Sequence, residues 1–402
     1  MNLRLLSLVF GPFAFGTSAF AFVGLMDPMA LGLGVDVPMV GQLQTVFAIA
    51  CGLGAPILAR LVTQTDRKRL LIAVMLGLVG INIATALAPN YTFIAFIRIA
   101  GGLFAALTLP LATTIAVTMV PEKNRPAAIA TVLAGYTLAF LIGMPLCTLL
   151  GDAFGWQAAF WFSAAISIGA AIIIAIGAPG KIAAPEMGNV GFKAALTGDN
   201  GLLMVVSLLA FTATFTTVSY IGPMITAFSG LEGAAIGWVQ IATGVGSLLG
   251  LPAGAFMARL PVKSALFGLV GITFITQMTF SFGMSNDLGL FALPLLLAAM
   301  IFGSAALFAT SPVIQTHLAK SAGPAATLAF ALNGSMIFFG QGSGAGLGGW
   351  IAAGSTLDYI GYGGAVTAVI AFLSIALLQD NAHGVPVPAE PVDPASTEEA
   401  SS

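Results

Sequence analysis

Charge is what this sequence has least of. Only 7% of its 402 residues are Asp, Glu, Lys or Arg, where a soluble domain carries roughly a quarter. So few charges cannot cover a water-facing shell around a chain that is 58% hydrophobic with a mean hydropathy of +1.02. Lipid is therefore the solvent for most of the molecule. The net charge of -2 gives no footing for nucleic acid. The two cysteines, Cys51 and Cys147, lie in apolar runs. They make neither a disulfide framework nor a zinc-type spacing, and read as small packing residues. The two histidines fall in the loop after the tenth apolar run (His317) and in the C-terminal segment (His383), so neither is placed as a proton relay. With no intramembrane histidine, paired acids or nucleophile, an enzyme is not expected, nor is a cofactor or metal. Rings of charge or a carbonyl filter, the marks of a channel, are missing too.

What the sequence does have is apolar runs of membrane-spanning length. Twelve are expected, near 5–26, 39–62, 70–88, 92–119, 126–150, 158–178, 200–226, 234–256, 264–284, 288–311, 325–350 and 359–378. The opening MNLRLLSLVFGPFAF reads as the first span rather than a cleaved signal. The expected fold is an all-α integral membrane protein with a six-helix bundle over 1–178, a cytoplasmic linker over 179–199 and a second bundle over 200–378. Residues 379–402, rich in Pro, Glu, Ala and Ser, are expected to be a disordered cytoplasmic tail. Arg4, Arg60, Arg67, Lys68, Arg69, Lys123, Arg125, Lys181, Lys193, Arg259, Lys263 and Lys320 all fall on one side of such a chain. Asp36, Asp152, Glu232 and Asp287 occupy the other side. Because Lys and Arg stay in the cytoplasm, both termini are expected there and the location is the cell inner membrane.

An internal repeat divides the chain. Gly41, Gln44, Gly54 and Pro56 recur 196 residues later as Gly237, Gln240, Gly250 and Pro252. Paired six-helix repeats are one architecture from which secondary transporters are built, with the substrate near the midplane where the halves meet.

Several stretches carry candidate mechanism. The run GAPILARLVTQTDRKRLLI holds Gly54, which permits close helix approach, and Asp66, which can meet a helix N-terminus or a basic neighbour. Arg67 and Arg69 either latch one conformation or only set topology. Arg98 is the one basic residue well inside a span, where a guanidinium needs a partner or water. It is either a coupling group or a tie between helix ends. Asp27, at the outer edge of the first span, is the acid expected beside it, or else an ordinary interfacial acid. The fifth span carries Gly135, Gly143, Pro145 and Gly151. Gln44, Tyr136, Gln240 and Asn333 are the uncharged polar groups most suited to a substrate, amid 29 phenylalanines.

These stretches resemble motifs of the major facilitator superfamily: the loop between the second and third spans, the Arg98-to-Gly102 string on the fourth, and the glycine and proline pattern of exporters on the fifth. The loop departs from the usual pattern in having its acid late, at Asp66, and Met144 separates Gly143 from Pro145. The overall likeness is to bacterial sugar and drug efflux permeases of the drug:H+ antiporter branch. It implies two pseudo-twofold-related bundles and proton-coupled efflux of a small neutral or amphiphilic compound by rocker-switch alternating access. Asp27 and Arg98 would then be the coupling pair. The implied partners are a substrate, protons and the bilayer, acting on a monomer. A proton-coupled importer or facilitator, or a non-transporting receptor, would share the architecture.

Overall fold

The computed structural model describes residues 3–61, 65–180 and 192–379. Residues 181–191 of the expected linker and 380–402 of the expected tail lie outside the described residues. The described chain is built of helices: α1 (Phe10–Phe20), α2 (Val37–Leu61), α3 (Arg67–Ala86), α4 (Tyr91–Thr118), α5 (Glu122–Phe154), α6 (Gln157–Gly177), α7 (Asn200–Val218), α8 (Ala234–Met257), α9 (Val262–Ser285), α10 (Ala292–Ser321), α11 (Ala326–Gly354) and α12 (Ile360–Ala376). Ten of the described helices are long and apolar enough to cross a membrane. The two left out are α1, which is interrupted, and α11, whose glycines and amides dilute its apolar character. The tenth helix runs further than its hydropathy predicts, to Ser321, which places His317 within α10 rather than in a loop.

Prolines decide where the first helix of each half breaks. A proline ring clashes with the carbonyl four residues earlier. Pro28 therefore interrupts the chain at Gly24–Leu25, after which a short helix, Met26–Leu33, resumes. Pro223 does the same at Ser219–Tyr220, and Ile221–Ser229 resumes. Leu25 (φ -122, ψ 21) and Tyr220 (φ -114, ψ 21) adopt one conformation. Gly34 (φ 66) and Gly230 (φ 70) close the two short helices with left-handed caps. The internal repeat thus extends to backbone detail. Asp66 caps α3 by accepting from the amides of Lys68 (2.9 Å) and Arg69 (3.2 Å).

Within the first half α2 packs on α4, α3 on α6, and α1 on α5 and α6. Within the second, α7 packs on α11 and α12, and α8 and α9 on α10. The halves meet along α2 against α11 and α5 against α8. Glycines make these crossings tight. A Cβ at Gly244 would fall 2.2 Å from the Leu141 Cα, and one at Gly54 3.0 Å from the Leu103 backbone. On α5 a π-turn at Ala139–Gly143 precedes Pro145. Eight residues of regular helix overshoot two turns, and the wider turn absorbs the excess. Gly135 and Gly143 accordingly both face the first helix, against Val9 and Thr17, while Gly151 lies against Leu25 at its break.

Candidate functional site

Arg98 is the only charged side chain among the described residues that is buried, at 2% exposure. Its guanidinium donates to the carbonyls of Ser18 (3.1 Å) and Ala19 (3.3 Å). These belong to the last turn of α1, whose carbonyls lose their helical partners where the helix breaks. The negative end of the helix dipole thus supplies the counter-charge. Three rings complete the pocket, with Phe22 at 4.5 Å, Phe47 at 5.1 Å and Phe160 at 5.8 Å from the guanidinium carbon. Ser18 in turn donates to Asn82 (2.9 Å), which donates to the Leu78 carbonyl.

The expected pair of Arg98 with Asp27 is not formed, and the break in helix 1 is the reason. Arg98 takes the carbonyl end of the break, while Asp27 stands in the first turn of the helix beyond it, exposed. The two residues serve opposite ends of one interruption. The carboxyl of Asp27 is pushed above its ordinary value, mainly by the protein that partly covers it. A backbone hydrogen bond opposes that shift, and Glu232 of the other half adds to it. Nearby, Gly233 (φ 58) packs on the Asp152 carboxylate so closely that a Cβ would lie 2.9 Å from its Oδ1. Acidic residues from both halves therefore meet at this face.

Between the halves lies a group of aromatic rings that sequence reading did not assemble. Phe15 and Phe20 of α1, Tyr136 and Phe140 of α5 and Phe47 of α2 face Phe215 of α7, Phe308 of α10 and Phe338 of α11. Four pairs cross the seam: Phe15–Phe338 at 6.0 Å, Phe20–Phe215 at 5.9 Å, Tyr136–Phe308 at 6.3 Å and Phe140–Phe308 at 5.5 Å. The abundance of phenylalanine was visible. Which rings converge depends on helix rotation, and that was not.

Buried polar atoms without partners accompany the rings. Both amide atoms of Gln44 on α2 are buried and unpaired. The Tyr136 hydroxyl faces Gln341 without a hydrogen bond. Gln240 accepts from Thr148 across the seam (2.7 Å) and leaves its amide nitrogen free. Asn333 is turned away from this group. It accepts from Ser207 (2.7 Å) and ties α7 to α11 within the second half. Arg69 is exposed and Arg67 half-buried beside the Asp66 cap. A cavity of 390 Å³ opens elsewhere, between the ends of Phe228–Ser229 and Met284–Gly289, and is lined by the second half alone.

At the acidic face the seam is shut. Tyr220, fully buried, donates to the carbonyl of Ala345 (3.2 Å) with that of Pro38 at 3.5 Å. Its ring fills a slot that exists only because Gly41, Gly348 and Gly349 lack side chains. Gln42 adds a bond to the Gly346 carbonyl (3.4 Å), and Gly222 presses on Val23 and Gly24, so the two helix breaks touch.

A family profile described as Major Facilitator Superfamily matches residues 8–283. The chain belongs to that superfamily. Among superfamily relatives it is 27% identical over 384 residues to the inner membrane transport protein YdhP of Escherichia coli K12, covering 93% of this chain and 95% of that protein. It is 31% identical over 269 residues to a chloramphenicol resistance protein of Streptomyces lividans, covering 65% and 69%. Solved superfamily folds superpose well at low identity. The nucleoside transporter NupG gives a TM-score of 0.71 at 16% identity, covering 94% of this chain and 99% of that one. A bacterial homolog of the human lysosomal transporter Spinster, inward-facing and unoccupied, gives 0.70 at 16%, covering 93% and 97%. The chain is thus a membrane transporter of this superfamily and not an enzyme.

Proposed function

We propose that this protein is a proton-coupled exporter of a small neutral or amphiphilic compound, held between the halves at the aromatic group and carried by rocker-switch alternating access. The observation that carries the reading is the seam itself: rings from six helices in both halves with the Tyr136 hydroxyl among them, and the unpaired Gln44 amide and free Gln240 amide nitrogen buried on α2 and α8. Both halves must separate at one face for a compound to replace those ring contacts. The unpaired polar atoms are then the groups it would satisfy. The basic face is the cytoplasmic one, with both termini there, and the monomer is the working unit.

Export is supported by the motif likeness of spans one, four and five and by the drug-resistance relative. Coupling is assigned to Asp27, a carboxyl of raised proton affinity facing the opposite half at the acidic loops. Arg98 acts through the helix 1 break to which both residues attach. Asp66, Arg67 and Arg69, with Gly54 above them, form the gating loop at the basic face. The test is transport in proteoliposomes under an imposed pH gradient, with a panel of neutral and amphiphilic compounds. Asp27→Asn is expected to abolish gradient-driven movement while leaving substrate counterflow intact. Gradient-driven transport undiminished in that variant would remove Asp27 from coupling.

A further inference from the structure

We infer that the aromatic seam selects uncharged aromatic compounds and rejects lipophilic cations, a specificity that rests on the reading of this seam as the substrate site. Two observations lead there. The rings at the seam are packed against one another rather than around a void, Phe20 on Phe140 at 4.7 Å and Phe15 on Tyr136 at 5.6 Å. A flat aromatic guest can replace edge and face contacts of that kind, which an aliphatic one of equal area cannot.

The second observation is electrostatic. Among the described residues the buried interior carries one charge, and it is positive. No described carboxylate comes within 4.0 Å of Arg98, whose partners are carbonyls and rings. A guanidinium keeps its proton at all relevant pH. Its charge lies 5.1 Å from the Phe47 ring, and that ring is 6.3 Å from Phe15 at the seam. The carbonyl end of helix 1 offsets about half of that charge, so a monovalent cation about 10 Å from Arg98, in an environment of effective dielectric about 20, is disfavoured several-fold. Ring faces attract cations, but that of Phe47 is already turned to Arg98. Stripping a cation of water with no carboxylate to receive it outweighs what the remaining rings return. Neutral guests meet neither penalty, and the Tyr136 hydroxyl and Gln44 amide offer them hydrogen bonds.

The test uses two fluorescent guests of nearly identical shape, acridine and N-methylacridinium, at mildly alkaline pH where the first is neutral. Binding to the purified full chain in nanodiscs is read as the difference between wild type and Phe338→Ala, which removes general partition into lipid. Acridine is expected to bind at least tenfold more tightly than N-methylacridinium. Gln44→Glu, which places a carboxylate one helical turn from Phe47, is expected to narrow or invert the ratio. Equal or tighter binding of the cation by wild type, abolished by Phe338→Ala, would overturn the selectivity and leave the site standing. Binding of either guest that ignores Phe338→Ala would overturn the assignment of the site, and this inference with it.

Discussion

The first helices of the two halves break in the same way and are used differently. Both are cut by a proline, both restart from one backbone conformation, and both end on a left-handed glycine. In the first half the interruption is charged, with Arg98 on its carbonyl end and Asp27 in the turn beyond. In the second half it is neutral. There Gln277 donates to Thr217 (3.0 Å), Gly222 stands where the repeat would place an acid, and Tyr220 reaches across the seam. Each half thus adds its own chemistry to a shared break: a buried guanidinium and a carboxyl of raised proton affinity on one side, a hydroxyl that bridges the bundles on the other.

Removing the charge from the first break tests the comparison most severely. Arg98→Ala leaves two buried carbonyls without a donor at about 1–3 kcal/mol each. It should lower the thermal unfolding temperature of purified protein markedly and end transport. Arg98→Lys, which keeps charge but loses the fork, should fall between. An Arg98→Ala protein as stable as the native one would dissolve the distinction between the two breaks.

Filling the slot of the second break comes next. A Cβ at Gly41 would meet the Tyr220 ring and hydroxyl at 2.1–2.4 Å, so Gly41→Val should hold the acidic face open. Transport is expected to fall at least tenfold with the fold retained. Spin-label distances across the acidic face should lengthen, and unchanged distances would deny Tyr220 its latching role.

A smaller effect follows from Asp27. Its carboxyl is raised in the closed form, so that form binds the proton more readily than one in which the carboxyl is freed. Acidification through that raised value should therefore favour the closed acidic face, and alkalinity should relax it. The same spin-label distances, followed against pH, should lose this dependence in Asp27→Asn. Least of all, Tyr220→Phe removes one hydroxyl donor, about 1 kcal/mol, a shift of several-fold toward the open face in the same measurement.

The sequence announced the helices, their number and the duplication because apolar length and repeated glycines are local facts. Pro28 and Pro223 stand beside the breaks in the sequence, but the breaks were not expected, because a proline acts four residues upstream through the geometry of its ring. Arg98 was legible as a residue in need of a partner. That its partners are carbonyls was not, because a freed helix end leaves no trace in side-chain identity. The rings at the seam were hidden for another reason. Phenylalanine faces lipid and protein with equal ease, so Phe104 and Phe140 look alike until helix rotation separates them, the first 53% exposed and the second buried. Asn333 shows the converse, an amide suited to a ligand that is used within its own bundle.

The π-turn of α5 has an implication for how such a chain can change. It is one residue of surplus, and everything beyond it, from Pro145 to the Thr148 that meets Gln240, owes its compass bearing to that surplus. Deleting a single residue of the regular helix between Gly143 and Thr148, where no wide turn absorbs the change, would swing the far end of the helix by about 100° and point Thr148 elsewhere, with every remaining side chain chemically intact. The aim of this helix is written in the count of residues rather than in their kinds, so it can drift through substitution after substitution and be lost in one deletion.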